Sequence, residues 1–307
     1  MAKASRESFG EALAALGEKY PDVVVLDADL SKSTKSDLFA KKFPGRFFEM
    51  GIAEQNMIGT GAGLALAGKI PFICSFGAFV TGRYDTIRMS VAYSEANVKI
   101  VGTHVGVGIG EDGNSQMGLE DISLMRSLPG MAVIQPADDV ETRQAVEFAI
   151  QHKGPVYLRL TRQKLDDVSP AGYKFQFGKA VVLKEGKDAV LFATGGLVGP
   201  VLNAAKELEN EGLSCKVVNV HSIKPIDREM VALAAKSGGK IMTFEDHNII
   251  GGLGSAICEA LCDDSPARVK RVGLYDTFGE SGSPEELYRK FGFDKDGVKK
   301  TIRDWIK

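Results

Sequence analysis

Cysteine and long apolar runs are both scarce in this chain, and their scarcity excludes several classes of protein. The 307 residues include four cysteines, and no two of them form a Cys-x-x-Cys pair. Scattered single cysteines are typical of a reducing compartment, so we expect four buried thiols rather than disulfides or a zinc site. No apolar stretch is long enough to span a bilayer, and the first residues lack the apolar centre of a signal peptide. We therefore expect a cytoplasmic protein.

An excess of charge of either sign is also missing. Lysine plus arginine total 38 and aspartate plus glutamate total 40, which leaves a net charge of −2 at pH 7. A surface that follows nucleic-acid phosphates needs a clear excess of basic residues, so this balance argues against nucleic-acid binding. Hydrophobic residues make up 44% and charged residues 25% of the chain. These fractions are average for a soluble globular protein.

Apolar segments rich in valine and isoleucine alternate with segments of helical period along the whole chain. This alternation is the pattern of parallel βαβ units, and 307 residues are enough for two domains. We predict an α/β protein with two doubly wound domains at residues 1–163 and 181–307, joined by a polar linker at residues 164–180. A long loop between Gly102 and Leu119 is rich in glycine, aspartate and asparagine. Such loops at the carboxyl ends of parallel strands commonly bind ligands.

One segment of that loop has the form of a nucleotide-binding motif. Gly108-Ile-Gly110-Glu-Asp-Gly113 matches GxGxxG after a predicted strand. A dinucleotide site requires a helix that opens directly on the last glycines, whereas here Asn114-Ser-Gln116 continue the loop. We therefore reject a nicotinamide dinucleotide site. The sequence also contains no complete GxxxxGK[ST] loop.

Several short segments in a fixed order carry more information than any one of them. Glu54, for example, lies in the first turn of a predicted helix, where the helix dipole alone would stabilise a carboxylate. The segments are Asp27-Ala-Asp29-Leu-Ser-Lys-Ser33-Thr, Gly51-Ile-Ala-Glu54-Gln-Asn-Met, Ser75-Phe76-Gly-Ala-Phe79, Gly108-Ile-Gly110-Glu-Asp112-Gly-Asn-Ser-Gln116-Met, Tyr157-Leu-Arg159-Leu-Thr-Arg162, Lys224-Pro-Ile-Asp227, and Glu245-Asp-His247 with Gly251-Gly-Leu-Gly254. In order and in spacing they resemble transketolase. The resemblance implies the thiamine-diphosphate pyrimidine-binding fold followed by the C-terminal domain of that family.

The resemblance implies a set of cofactor-binding residues. Glu54 matches the carboxylic acid that hydrogen-bonds the aminopyrimidine ring of thiamine diphosphate and assists its activation. Phe76 and Phe79 match the aromatic pocket that orients this ring. Asp29 matches a carboxylate on the cofactor side.

The resemblance also implies a sugar-phosphate site. His104 and Asp112 match ligands of the sugar hydroxyls, and His104 would also take part in catalysis. Arg6, Ser33 and Arg162 match the phosphate-binding residues, and the arginine fork suits phosphate oxygens. Many transketolases have a histidine where this chain has Gln116, whereas a Ser-Gln-Met-x-Leu-Glu-Asp segment resembles the animal form. We expect Gln116 to contact the substrate.

A further absence concerns the metal-binding half of the enzyme. The Gly-Asp-Gly motif with a following asparagine, which holds the metal and the diphosphate in this family, does not occur in the sequence. We therefore expect a second chain to hold Mg²⁺ (or Ca²⁺) and the diphosphate. Family architecture places the active site between subunits, so we expect two copies of each chain with a large apolar interface.

The expected activity is the transfer of a two-carbon ketol unit from a ketose phosphate to an aldose phosphate, in the pentose phosphate pathway or in a dedicated route for another sugar. Three alternatives remain open at this point. They are the β subunit of a 2-oxo acid dehydrogenase, a fragment of a deoxyxylulose-phosphate synthase, and a non-catalytic structural subunit. For His247 and the glycines at positions 251–254 we expect a turn and a domain contact rather than chemistry.

Overall fold

Two parallel-stranded sheets form the framework of the computed structural model, which describes residues 2–236 and 240–306. The strands are β1 (Lys3–Ala4), β2 (Val23–Asp27), β3 (Phe47–Glu49), β4 (Ile70–Phe76), β5 (Lys99–Thr103), β6 (Ala132–Ile134), β7 (Val156–Arg159), β8 (Lys164–Leu165), β9 (Val181–Lys184), β10 (Ala189–Ala193), β11 (Cys215–Asn219), β12 (Ser222–Lys224), β13 (Ile241–Asn248) and β14 (Val269–Leu274). The first sheet has the order β12-β6-β7-β5-β4-β2-β3, and the second has the order β14-β13-β10-β11-β9. Strands β1 and β8 form a separate antiparallel pair.

Helices cover both faces of each sheet. They are α1 (Ser5–Leu16), α2 (Ser31–Thr34), α3 (Asp37–Lys42), α4 (Glu54–Leu66), α5 (Gly77–Thr81), α6 (Tyr84–Thr86) with a π-helical continuation (Ile87–Ala92), α7 (Asp121–Ser127), α8 (Asp139–Gln151), α9 (Val198–Asn210), α10 (Arg228–Lys236), α11 (Leu253–Asp264), α12 (Pro284–Phe291) and α13 (Lys295–Ile306). All five residues of β2, β5 and β10 are buried. Strands covered on both faces are mostly apolar, which explains the valine- and isoleucine-rich centres of these sequences. The predicted α/β class with two doubly wound units is confirmed.

The second half of the chain contributes a strand to the first sheet. Strand β12 pairs antiparallel with β6, so Ser222 lies opposite Ile134. The sequence did not predict this strand, nor the edge strand β9, because strands of three or four residues carry too little alternation to be recognised. The two sheets are therefore joined by backbone hydrogen bonds as well as by side chains.

The segment expected to be a linker packs against the first sheet. After β8, the backbone N–H groups of Val168 and Ser169 donate to Asp138 Oδ2 at 2.9 and 2.6 Å. The ring of Phe177 then stacks on Phe148 of α8 at 4.7 Å between centroids. The domain limits at residues 1–163 and 181–307 remain a prediction.

The expectation of four buried thiols is wrong for two of the cysteines. Cys74 and Cys215 are buried, whereas Cys258 is half-buried and Cys262 is exposed, and all four are free thiols. Cys258 and Cys262 lie one turn apart on the outer side of α11, whose opposite side packs into the core through Ile257 and other apolar residues. No helix within residues 2–236 and 240–306 is long and apolar enough to cross a membrane.

Candidate active site at the carboxyl edge of the first sheet

The predicted site residues follow consecutive strand ends at one edge of the first sheet. Strands β2, β3, β4, β5 and β7 are parallel, so their carboxyl ends meet at this edge, which we call the site edge. The chain order reverses at β2, which lies between β3 and β4. Ligands in open α/β sheets bind at such a reversal point. The predicted residues that follow these strands are Asp29 and Ser33, Glu54, Phe76 and Phe79, His104, Asp112 and Gln116, and Arg162.

Glu54 begins α4 and is 6% exposed. Its Oε1 accepts a hydrogen bond from Ser75 Oγ at the end of β4, at 3.3 Å. The carboxylate forms one wall of an open depression of about 820 Å³, which is lined mainly by α4 and the residues before it and includes Arg83 of a neighbouring turn. A buried carboxyl group at the edge of an open depression can hydrogen-bond a ligand ring.

Three aromatic rings form a stack beside this carboxyl group. Phe76 and Phe79 lie 5.4 Å apart between centroids with 19° between their planes, and Phe76 lies 3.8 Å from His104 with 24° between planes. Phe76 is buried and Phe79 is half-buried, so the outer ring of the stack is accessible. Offset stacking of this kind is favourable for a flat heteroaromatic ring. The geometry therefore fits the pyrimidine ring of thiamine diphosphate.

The hydrogen bonds of His104 determine its tautomer. Arg6 Nη1 lies 3.0 Å from His104 Nε2, and a guanidinium can only donate, so Nε2 is the acceptor. Nδ1 therefore carries the proton and donates to Thr103 Oγ1 at 2.9 Å. Thr103 in turn donates to the Ser75 carbonyl at 3.4 Å. His104 adopts a positive φ of 59°, which turns its side chain into this arrangement.

These contacts connect the two ends of the candidate site. Arg6 contacts His104, His104 contacts Thr103, and Thr103 contacts Ser75, whose hydroxyl donates to Glu54. Residues expected to bind sugar and cofactor therefore share one network. Sequence reasoning missed Ser75 and Thr103. The available signal was that each is a polar residue at the end of an apolar, buried strand.

His104 is held in its neutral form. Burial lowers its pKa, and the nearby charges of Arg6, Arg162 and Lys35 lower it further, to about 3. A neutral imidazole whose Nε2 is free of a proton can accept a hydrogen bond from a hydroxyl group. His104 therefore suits a sugar hydroxyl better than a phosphate.

Two arginines lie side by side next to His104. Arg6 Nη1 donates to the Ser33 carbonyl at 2.8 Å, and Arg6 Nε has no partner among the described residues. Burial lowers the pKa of Arg6, and the charge of Arg162 lowers it further. Arg162 donates to Glu111 Oε2 at 3.0 Å and to the Ile109 carbonyl. Both arginines line a cleft of about 660 Å³, where a bound anion would relieve their mutual repulsion.

The segment that carries Ser33 is fixed by Asp27 at the end of β2. Asp27 Oδ2 accepts hydrogen bonds from Thr34 Oγ1 at 2.7 Å and from Ser36 Oγ at 2.8 Å. Its Oδ1 accepts the backbone N–H of Leu30 at 2.7 Å. Burial raises the pKa of Asp27 to about 6. The sequence did not indicate this function of Asp27.

Three of the predicted residues are less tightly placed. Asp29 is exposed with φ of 63°, and its N–H donates to Glu49 Oε1 at 2.7 Å. Asp112 is exposed and close enough to Arg6 to raise its pKa slightly against the larger effect of burial. Gln116 is half-buried in a 3₁₀ turn, Asn114–Gln116. Neither Asp112 nor Gln116 forms a side-chain hydrogen bond within the described ranges, so the structure does not connect them to His104.

Metal ligands are not grouped in the part of the chain that the structure describes. Within residues 2–236 and 240–306, no three histidine, cysteine, aspartate or glutamate side chains converge as a metal site would require. The residues at the site edge can hold a heteroaromatic ring and an anion, but they do not form a cation site.

Comparison with known proteins identifies the family. Residues 1–167 match the family model "Transketolase, pyrimidine binding domain", and residues 178–298 match "Transketolase, C-terminal domain". This chain belongs to the transketolase family. Proteins of this family use thiamine diphosphate and a divalent cation, and the buried Glu54 beside the aromatic stack agrees with that chemistry.

Individual relatives differ in how much of a transketolase they contain. The chain is 42% identical to a 6-deoxy-6-sulfo-D-fructose transketolase subunit from Clostridium sp. (strain MSTE9), with 94% of this chain and 89% of that protein covered. It is 38% identical to human transketolase over 99% of its own length but only 49% of the human protein. Among solved structures, a split-gene transketolase described as an inactive β4 tetramer matches with a TM-score of 0.90 and 47% identity, over 98% of this chain and 97% of that one.

Proposed function

We propose that this chain is one subunit of a split transketolase, which transfers a two-carbon ketol unit from a ketose phosphate to an aldose phosphate. The observation that carries the proposal is the network from Glu54 to Arg6, which links a pocket for a heteroaromatic ring to a pocket for an anion. Thiamine diphosphate would supply the nucleophilic carbon and the electron sink that the protein lacks. A partner chain would supply the diphosphate site and its divalent cation, Mg²⁺ or Ca²⁺.

On the cofactor side, Glu54 would hydrogen-bond the pyrimidine ring. Its low exposure leaves little room for water at the carboxyl group, so a ring nitrogen can be its hydrogen-bond partner. Ser75 orients the carboxyl group through the 3.3 Å hydrogen bond to Oε1. Phe76 and Phe79 would hold the ring in plane, and Asp29 would complete the cofactor side.

On the substrate side, neutral His104 would accept a hydrogen bond from a sugar hydroxyl and so orient the carbonyl to be attacked. Asp112 and Gln116, on the same loop, would contact the remaining hydroxyls. Arg6 and Arg162, with Ser33, would bind the phosphate group. When the phosphate takes the donors of Arg6, the Nε2 of His104 is released for the sugar.

The exposed face of α4 supports the need for a partner. Ile52 is 84% exposed and Leu66 is 70% exposed, although both are apolar. A Cβ atom placed on Gly59 or Gly63 would meet nothing within 4 Å. An apolar, small-residue face beside Glu54 is the kind of surface that a second chain covers. We propose two copies of each chain, in which the partner closes the depression over Glu54.

Two kinds of anionic group on the sugar fit the paired arginines. A sulfonate and a phosphate both offer oxygen atoms to paired arginines, and one relative is named for a sulfonated fructose. The pentose phosphate pathway is one setting for a phosphate substrate, and a dedicated sugar route is another. The paired arginines favour an anionic sugar over the simple 2-oxo acid of a dehydrogenase β subunit.

The proposal is tested by reconstitution. The chain is purified from native lysate at low salt, and the eluate is assayed for ketol transfer with thiamine diphosphate and magnesium. Ketol transfer that requires both this chain and a co-purifying second chain is the expected result. Turnover of pyruvate without turnover of xylulose 5-phosphate, or full activity of a Glu54→Ala complex, would contradict it.

A further inference from the structure

The carboxyl end of β13 in the second sheet holds the loop between β5 and α7, which we call the 104–120 loop. Asp246 is 3% exposed, and its Oδ1 accepts a hydrogen bond from the backbone N–H of Val107 at 2.8 Å. Its Oδ2 accepts a longer one from Gly108 at 3.4 Å. Two residues further along the strand, the N–H of Asn248 donates to the Leu119 carbonyl at 2.8 Å. The strand therefore contacts the loop near both of its ends.

Two glycines of the loop allow this close approach. A Cβ atom on Gly106, whose φ is 76°, would lie 2.2 Å from Asp246 Oδ2. A Cβ atom on Gly108 would lie 2.3 Å from the side-chain amide of Gln163. Real Cβ atoms do not approach other atoms so closely, so a side chain at Gly106 would displace the Asp246 carboxylate or the loop, and one at Gly108 would displace Gln163 or the loop. Gly106 therefore serves the contact between the loop and β13, and Gly108, the first glycine of the apparent GxGxxG motif, serves the contact with Gln163 after β7.

A second series of contacts reaches the cleft lined by Arg6 and Arg162, which we call the anion pocket. The hydroxyl of Tyr288, on α12, donates to Asp246 Oδ2 at 3.0 Å. Gln163 Nε2 donates to the same hydroxyl oxygen at 2.7 Å. Gln163 directly follows Arg162, which donates to the Ile109 carbonyl in the loop. Asp246 is thus the point where the loop backbone, α12 and the segment after β7 converge.

We propose that Asp246 is a positioning residue, whose carboxylate holds the backbone of the 104–120 loop so that the loop presents His104, Asp112 and Gln116 to the sugar. The inference rests on the proposed function, because it assigns a task within the same site. It also gives the second sheet a task, since the sheet supports the substrate-binding loop without touching the substrate.

A carboxylate suits this position better than an amide. Its two oxygens receive three donors, namely the N–H groups of Val107 and Gly108 and the hydroxyl of Tyr288. Burial raises the pKa of Asp246, and the hydrogen bond from Val107 opposes that rise. In Asp246→Asn one acceptor oxygen becomes an NH₂ donor, so at least one of the three donors loses its acceptor.

Glu245 offers a matched control on the same strand. It is fully buried, and it too accepts two backbone N–H groups, from Leu253 at 2.6 Å and from Gly254 at 2.9 Å. These groups belong to the first turn of α11 rather than to the 104–120 loop. Asp246→Asn and Glu245→Gln therefore both weaken a buried carboxylate–backbone contact, but only the first affects the loop.

The test compares the two variants in the full chain with its partner. Amide hydrogen exchange is measured over residues 104–120, and steady-state kinetics are measured with a ketose phosphate. For Asp246→Asn we expect exchange in the loop and the ketose KM each to rise about tenfold, the effect of losing one charge-assisted hydrogen bond. The Kd for thiamine diphosphate should not change. For Glu245→Gln we expect neither effect.

Two results would overturn the inference. The first is equal loop exchange in the two variants. The second is an Asp246→Asn complex with unchanged KM and a kcat that falls only with the folded fraction. If Asp246→Asn does not fold, Tyr288→Phe should show the same pattern at about threefold, since it removes one donor to the same carboxylate. A wild-type complex without ketol transfer would contradict the proposed function. In that case amide hydrogen exchange over residues 104–120 in the two variants would still test whether Asp246 holds the loop.

Discussion

Parallel strands end at a carboxyl edge in both sheets, but the surroundings of the two edges differ. At the site edge, an open depression is lined mainly by α4, and Arg6, Gly108 and Arg162 line part of a cleft. Near the carboxyl end of β13 in the second sheet, Asp246 accepts a hydrogen bond from the 104–120 loop, and Tyr288 of α12 connects Asp246 to Gln163 after β7. Near the carboxyl end of its sheet, Glu54 of the first half thus lines an open depression, whereas Asp246 of the second half contacts protein.

The charged side chains at the contact between the halves also differ from those at the site edge. Between the halves, Arg159 and Asp121 form a fully buried ion pair at 2.8 Å, and Tyr157 donates to the same carboxylate at 2.6 Å. Arg159 also donates to the carbonyls of Gly118 and Asp246. Burial alone would raise the pKa of Asp121, but the charge of Arg159 holds it below its ordinary value. At the contact between the halves the opposite charges of Arg159 and Asp121 neutralise each other, whereas at the site edge the like charge of Arg162 adds to burial in lowering the pKa of Arg6.

The largest expected effect is a loss of activity on replacing Glu54 at the site edge. Glu54→Gln should lower ketol transfer by the reconstituted complex about 10³-fold, or about 4 kcal/mol in activation free energy, because the amide cannot exchange a proton with the pyrimidine ring. Steady-state rates with saturating cofactor measure this. Glu18→Gln is the control, since Glu18 is an exposed carboxylate that forms an ion pair with Lys42 and belongs to neither the cofactor side nor the substrate side. Equal losses in both variants would remove Glu54 from catalysis.

The next largest effect should be a loss of folding stability when the contact between the halves is disrupted. Arg159→Met leaves Asp121 buried without its partner, so we expect the free energy of unfolding to fall by about 4 kcal/mol. Tyr157→Phe removes one hydroxyl donor to the same carboxylate and should cost about 1 kcal/mol. Urea denaturation of the chain measures both. A loss for Arg159→Met no larger than that for Tyr157→Phe would mean that the ion pair contributes little.

The pH dependence of stability should reflect His247 at this contact. Its Nε2 accepts the N–H of Ile122 at 3.2 Å, in agreement with the expected domain contact. Burial lowers its pKa from 6.5 to about 4, so the unfolded chain binds a proton that the folded chain does not. Stability should therefore fall as the pH decreases from 6.5 to about 4, by about 3 kcal/mol from this residue. His247→Gln should flatten that decrease in urea denaturation at several pH values.

Other buried groups also affect how the stability changes with pH. Burial lowers the pKa of His221 to about 4 as well, whereas it raises the pKa of Asp27 to about 6 and those of Glu141 and Glu245 to about 7. These carboxyl groups oppose the histidines in the same pH range, so the contribution of His247 is the difference between the profiles of His247→Gln and the wild type. A profile of His247→Gln that is superimposable on the wild type would show that His247 is protonated without cost in the folded chain.

The anion pocket should affect substrate binding more than the chemical step. Arg6→Met removes one of the two guanidinium groups and the donor to His104, so we expect kcat/KM for a phosphorylated ketose to fall about 30-fold, mainly through KM. Arg268→Met is the control, because Arg268 is exposed and lies near Trp305, in the second half of the chain. The same fall with an unphosphorylated ketose would show that Arg6 does not bind the phosphate.

The smallest expected effect belongs to Gln116. Its side chain has no hydrogen bond within the described ranges, so it is free to contact a sugar hydroxyl. Gln116→Ala should raise the ketose KM about fivefold with little change in kcat, as expected for the loss of one neutral hydrogen bond. Kinetics with the donor ketose measure this. An unchanged KM would remove Gln116 from the site.

The sequence by itself determined the repeated βαβ pattern and the positions of most site residues along it. Apolar strands such as β2 and β4 are recognisable because they are buried on both faces. Since the carboxyl ends of parallel strands share an edge, the strand pattern predicts that the loops after these strands lie together, and the resemblance to transketolase singled out Glu54, Phe76 and His104 among their residues. Short strands such as β12 carried no such pattern.

Only the tertiary structure decided which groups support those residues. The contacts of Ser75 with Glu54, of Thr103 with His104 and of Asp246 with the 104–120 loop join residues from 1 to 139 positions apart in the sequence. A hydrogen bond depends on distances of a few tenths of an ångström, which periodicity and composition do not encode. The sequence therefore indicated which residues to expect at the ligand site, and the packing of the two sheets decided how they are held.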